Sequence, residues 1–136
     1  MTGAVHDQAG VEAIAAELAA TLPAHAVLWL EGPLGAGKTT FARAFVAARG
    51  GGDAAHSPTY GLLHRYRGTR GEIVHLDCYR LRDPEEAAAI DWESALAADA
   101  LLIEWPDRAG AWAPAPLVRV SLDHQDEATR TVTVQR

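Results

Sequence analysis

The segment Gly32-Pro33-Leu34-Gly35-Ala36-Gly37-Lys38-Thr39 constrains this chain more than any other stretch. The run before it, Ala26-Val27-Leu28-Trp29-Leu30, has no polar alternation, as expected of a strand buried on both faces of a parallel sheet. The residues after it, Thr39 to Arg49, place Phe41, Ala42, Phe45 and Val46 on one helical face and stop at Gly50-Gly51-Gly52. Strand, glycine-rich loop and helix in that order form a nest of backbone N–H groups, with the positive end of the helix aimed at the same point. Such a nest binds phosphate. Gly32, Gly35 and Gly37 permit the close backbone approach, with Ala36 the small residue between the last two. Lys38 would reach the β- and γ-phosphates of a nucleotide, and Thr39 would place its hydroxyl on Mg²⁺.

Composition sharpens this reading at one point. Of the 12 basic residues all but Lys38 are arginines. A compact ammonium on a flexible stem therefore occurs only where it suits phosphate. The same fact removes the usual guanine reader, Asn-Lys-x-Asp, and favours ATP over GTP. The net charge of −6 argues against broad nucleic-acid binding, which needs a basic surface. Arg65, Arg67 and Arg70 read as the solvated rim of a hairpin. One cysteine, Cys78, excludes an internal disulfide and suits a reducing cytoplasm. No apolar run reaches the length of a membrane span, and residues 1–10 lack the apolar stretch of a secretory signal.

The remaining pattern alternates helices and strands. A helix is expected over His6–Leu22, with Asp7 as its cap, and a hairpin over Leu62–Tyr66 and Glu72–Leu76. Asp83-Pro84-Glu85-Glu86 has the form of a capping box opening a helix that runs to about Ile90. A short helix follows over Trp92–Ala97, then a buried strand over Ala100–Ile103, a loop marked by Pro114 and Pro116, and a closing hairpin over Leu117–Leu122 and Thr129–Val134. The fold class is α/β, a single P-loop domain with a mixed sheet flanked by helices.

Two carboxylates end apolar strands, at the edge where open α/β sheets hold ligands. Glu104 is a candidate for Mg²⁺, held directly or through water, against a surface carboxylate. Asp77 would orient the attacking water or cap a turn. Two roles are open to Trp105, core packing or a place beside the site. His75 reads as a structural histidine and Cys78 as a core thiol. Thr59, in Ser57-Pro58-Thr59-Tyr60, lies in a γ-phosphate-sensing loop or in a plain turn. No motif marks contacts to the base; Asp7 and Gln8 are the nearest candidates. No arginine sits in an obvious catalytic motif, Arg80 being the nearest. The segments His-Glu-x-x-His and Gly-x-Ser-x-Gly are missing, so zinc-protease and α/β-hydrolase readings lack support.

The segments Gly32–Thr40, Ser57-Pro-Thr-Tyr60, His75-Leu-Asp-Cys-Tyr-Arg-Leu81, Asp83-Pro-Glu-Glu86 and Ile103-Glu-Trp-Pro106 together resemble the TsaE family in order and spacing. The resemblance covers roughly residues 5–125. It implies a compact P-loop ATPase that binds ATP and Mg²⁺ and hydrolyses ATP slowly alone. It also implies work with the TsaD threonylcarbamoyltransferase and its companion TsaB in the modification of adenosine 37 of tRNA. Contact with tRNA would come only through that complex, in the cytoplasm. On matching positions it makes Lys38, Thr39 and Thr40 the phosphate and metal site, Asp77 a functional acid and Glu104 a magnesium-linked acid. Pro33 replaces the family's usual acidic residue, and Ala87–Trp92 departs from its leucine and glycine pattern in a stretch that bears on partner contact. The alternative is a small-molecule kinase on the same fold, which would need an acceptor pocket and an arginine-bearing lid. A third reading is an interaction module whose nucleotide state, rather than turnover, matters.

Overall fold

The computed structural model describes residues 4–51, 54–55 and 63–136. The Ser57–Tyr60 loop and with it Thr59 lie outside these residues. The elements run β1 (Ala4–His6), α1 (Gln8–Thr21), β2 (Ala26–Glu31), α2 (Lys38–Ala48), β3 (Ala54–Ala55), β4 (Leu63–Arg67), β5 (Glu72–Asp77), α3 (Trp92–Ala97), β6 (Ala100–Glu104), β7 (Val118–His124) and β8 (Arg130–Gln135). Among the described residues they form one eight-stranded sheet in the order β1-β8-β7-β2-β6-β5-β4-β3. Strands β7, β2, β6 and β5 run parallel to one another. Antiparallel pairs extend the sheet on both sides, β8 and β1 at one edge and β4 and β3 at the other. The sheet is mixed, as the sequence pattern requires.

Alternation along the central strands divides the core in two. Leu28 and Leu30 of β2, Ala100 and Leu102 of β6 and Ile73 of β5 face the layer built by α1 and α2, where Leu18, Phe41 and Phe45 are buried. Val27, Leu101, Ile103, Val74 and Leu76 face the other layer, with Ala87, Ala95 of α3 and Ala109. Both faces of the central strands are therefore covered, which is why these strands carry no polar alternation.

Four elements differ from the sequence expectation, the two-residue strand β3 among them, which has no counterpart in it. His6 belongs to β1 rather than to the helix; Asp7 caps α1, its side chain accepting from Gly10 N at 2.9 Å. A three-residue edge strand is too short to show a period, and it exists here because β8 offers it a partner. The capping box at Asp83 forms, but Pro84–Ala89 is a 3₁₀ helix. A second cap follows at Asp91, where Ser94 N donates to the carboxylate at 3.1 Å and opens α3. A further 3₁₀ segment, Pro106–Trp112, has no counterpart in the sequence expectation.

At the end of the sheet away from the glycine loop, Arg49 ties three elements together. Its guanidinium donates to Ala19 O at 3.1 Å, Leu22 O at 2.9 Å and Asp99 Oδ2 at 2.9 Å, and lies 4.9 Å from the Phe45 ring centroid. The residue is 2% exposed, and burial lowers its pKa against the opposing pull of Asp99. Arg49→Leu removes the cation and leaves the buried Asp99 carboxylate with only the part-exposed Arg70 guanidinium, 3.6 Å away. Urea unfolding followed by tryptophan fluorescence should show a loss of about 3–5 kcal/mol, the usual consequence of breaking a buried pair from one side. A loss under about 1 kcal/mol would place this cluster outside the determinants of stability.

Candidate functional site

Parallel register places the chemistry. On β6, Glu104 falls on the same face as Ala100 and Leu102, the face that α2 covers. On β5, His75 and Asp77 share that face with Ile73. Glu104 pairs in register with Asp77 on one side and with Leu30 on the other. The two carboxylates thus stand side by side at the C-terminal edge of the parallel strands, facing the start of α2. Asp77 also accepts from Tyr79 N at 3.1 Å, so the turn cap expected as its alternative role is present as well.

The glycine loop joins β2 to α2 across this edge. Gly32 has φ +143°, and a Cβ there would fall 2.0 Å from the carbonyl oxygen of Leu122 on β7. Gly37, at φ +106°, occupies the N-cap of α2 in the left-handed region that favours glycine. Lys38 is 4% exposed; its ammonium donates to Gly32 O at 2.6 Å and Pro33 O at 2.7 Å. Two of its three N–H donors are thereby fixed, and one remains for a ligand. Burial lowers its pKa, while the nearby Glu104 and Asp77 carboxylates pull it back up.

Trp105 takes both of its expected roles, packed against the second core layer and standing beside the site. It turns through the left-handed region, at φ +56°, immediately after β6. A non-glycine residue there is uncommon and marks a constrained position. Its ring lies 4.4 Å from Lys38 Nζ and 5.1 Å from the Tyr79 ring, and Arg108 rests against the outer side of both rings at 5.5 Å and 5.1 Å.

Thr39 Oγ1 stands 3.1 Å from both oxygens of Glu104, and His75 Nε2 donates to Glu104 Oε2 at 2.6 Å. Glu104 is 3% exposed. The threonine hydrogen is spent on the carboxylate, which leaves the hydroxyl lone pairs to a hard cation. Among the described residues no cluster of three or more His, Cys, Asp or Glu side chains could hold an ion alone. This donor set fits Mg²⁺, which takes one or two protein oxygens and completes its shell with water and substrate phosphates.

A cleft of about 250 Å³ lies above these groups, lined by Gly35, Gly37, Lys38, Thr39, Thr40, Asp77, Tyr79, Glu104, Trp105 and Arg130, with Leu34 at its rim. A second cleft of about 200 Å³ shares Gly37, Thr40 and Arg130 with it and continues to Gln8, Val11, Glu127 and Ala128. The expected Lys38, Thr39, Thr40, Gly35, Gly37, Asp77 and Glu104 therefore converge. Gly32 lies beneath the loop. Ala36 is buried, its N–H bonded to Pro33 O at 3.2 Å, so neither its side chain nor its amide is offered to the cleft. Arg80 is exposed and does not line the cleft; Arg130 does, and it was legible in no motif. Gln8 reaches the second cleft, whereas Asp7 is engaged as the helix cap. His75, read as structural, is bonded directly to the site.

A mixed sheet with a glycine loop between β2 and α2 and acids on the neighbouring strand ends defines a P-loop α/β protein. The model of the family described as threonylcarbamoyl adenosine biosynthesis protein TsaE matches residues 5–132, and the chain belongs to that family. It is 37% identical over 117 residues to the TsaE protein of Rickettsia bellii, covering 85% of this chain and 81% of that protein. It is 32% identical over 125 residues to the TsaE protein of Aquifex aeolicus, covering 90% and 86%. Among solved structures, Bacillus subtilis YdiB superposes with a TM-score of 0.73 over 98% of this chain and 86% of that one, at 23% identity, a likeness of fold.

Cys78 follows Asp77 into the core and is 1% exposed. Burial, with the Asp77, Asp107 and Glu104 carboxylates adding to it, pushes its thiol up to about 12. The native chain should resist iodoacetamide at neutral pH, while the urea-unfolded chain reacts readily. Mass spectrometry reads both, and rapid labelling of the native thiol would contradict this burial.

Proposed function

We propose that the cleft binds ATP with Mg²⁺ and that the chain hydrolyses it slowly, in support of threonylcarbamoyl modification of adenosine 37 of tRNA with TsaB and TsaD as partners. The observation that carries this reading is the convergence of Lys38, Thr39 and Glu104 at the N-terminus of α2. The triphosphate would lie along the glycine loop, with the free Lys38 donor on the β- and γ-phosphates. The second cleft would take the nucleoside. Thr39 and Glu104 would hold Mg²⁺, which supplies neutralisation of charge on the phosphate oxygens. Asp77, in register beside Glu104, would orient the attacking water.

Slow turnover follows from what surrounds the γ-phosphate position. Phosphoryl transfer is accelerated chiefly by positive charge there, and an arginine supplied by a partner adds about 10³-fold or more. Arg108 is held against Tyr79, donating to its carbonyl at 3.1 Å, and Arg130 donates to Thr129 O at 3.1 Å. Arg108 is thus held outside the lining of the cleft, and Arg130, which lines it, is tied to its own loop by that bond. The net charge of −6 makes tRNA alone a poor activator and favours access through the complex. Among the described residues no helix is long and apolar enough to cross a membrane, and tRNA modification suits the cytoplasm.

The experiment is steady-state ATP turnover at fixed Mg²⁺, for the wild-type chain and Lys38→Ala, each alone and with the TsaB–TsaD pair. Wild type should be slow alone and faster with the pair. Lys38→Ala should lose at least about tenfold, since a charge-assisted contact to phosphate is removed. Near-wild-type turnover in Lys38→Ala would overturn the site. Phosphate transfer to a metabolite, with no response to the pair, would favour a kinase.

A further inference from the structure

His75 has a partner that an ordinary buried histidine does not. It sits on β5 opposite Leu102 of β6 and His64 of β4, is 5% exposed, and packs its ring 5.9 Å from that of His64. Its Nε2 lies 2.6 Å from Glu104 Oε2. A carboxylate only accepts, so the hydrogen is on Nε2. Thr39 Oγ1 is equidistant from the two Glu104 oxygens and by itself does not distinguish them. Among the described side chains, His75 alone does. It engages Oε2 and leaves Oε1 with the threonine hydroxyl.

We propose that His75 is a positioning residue, its Nε2–H fixing Glu104 Oε2 so that Oε1, beside the Thr39 hydroxyl, is presented to Mg²⁺. This rests on the nucleotide–magnesium reading of the cleft. A glutamate has three rotatable torsions, and a buried one without a fixed partner would lose the orientation that a small octahedral ion demands. Partners that orient metal-binding groups in this way commonly change metal affinity or activity by 10–100-fold when lost, hence about tenfold or more here. Register makes the contact possible. His75 lies two residues before Asp77, the in-register neighbour of Glu104, on the same sheet face, so its imidazole reaches diagonally to the carboxylate while Asp77 stays at the cleft.

The test is calorimetric binding of a non-hydrolysable ATP analogue to the full chain across a Mg²⁺ series, for wild type, His75→Leu and His75→Gln. His75→Leu keeps volume without a donor, and its Mg²⁺ midpoint should rise about tenfold or more, with affinity in the absence of Mg²⁺ little changed. His75→Gln keeps an N–H at similar reach and should restore the midpoint to within about threefold of wild type, as a retained hydrogen bond requires. If His75→Leu does not fold, His75→Asn replaces it; its shorter amide falls away from Glu104, and its midpoint should rise likewise. His75→Leu, or His75→Asn in its place, with the wild-type midpoint, or His75→Gln as impaired as that variant, would overturn the proposal, because a purely structural histidine alters melting temperature and not the metal midpoint. If the wild type binds the analogue without any response to Mg²⁺, the cleft reading fails first and the inference falls with it.

Discussion

Strands β2 and β6 lie parallel and adjacent, with Leu30 in register with Glu104. Everything at the site depends on that pairing. Because both strands are buried on both faces, each must be apolar until it leaves the sheet, and each releases its first polar chemistry at the same edge. From β2 that is Glu31, paired with Arg119, and then the glycine loop and Lys38; from β6 it is Glu104. A shift of one residue in β6 would turn Glu104 to the layer of α3 and the 3₁₀ segments, away from Thr39. The Arg49 cluster works on the same geometry from the far end, linking α1 and α2 to the start of β6.

The second constraint is a buried cation. Lys38 is nearly inaccessible, and its closest polar partners are neutral carbonyls. Burial of an ammonium is unfavourable, as the direction of its pKa shift records. Carbonyl dipoles, the Trp105 ring and the two carboxylates offset part of that cost. An anionic phosphate on the remaining donor would offset more. The nest and the helix terminus favour an anion of that kind at the same point. The acids on the neighbouring strands would repel a bare triphosphate, which is the physical reason the reading requires a divalent cation between them.

Much of this was legible in the sequence because the signals were local. The glycine loop, the apolar strands and the acids that end them each occupy a few consecutive residues, and a place at the end of an apolar strand puts Asp77 and Glu104 at the edge where α/β sheets hold ligands. What was not legible depends on partners distant in sequence. β1 exists only because β8 is there to pair with it. Arg130 reaches the cleft only because β8 folds back beside β7. Trp105 was open between two roles because its direction is set by one left-handed backbone position that residue type does not announce. A lone histidine in a strand is most often structural, which is what the sequence implies for His75. The period of two placed it on the face of Asp77, yet its bond to Glu104 requires knowing that β5 and β6 are neighbours. Ala36 was included with the loop on motif spacing, whereas its amide is used within the loop itself.

The central claim is that this edge of the sheet is a site for a nucleoside triphosphate with magnesium. Its most direct test is calorimetric titration of the wild-type chain with ATP, with and without Mg²⁺, and with GTP in parallel. Saturable one-to-one binding of ATP, tighter with Mg²⁺ and exceeding that of GTP, is the expected result. A folded chain that shows no saturable binding at millimolar ATP with Mg²⁺ present would contradict it.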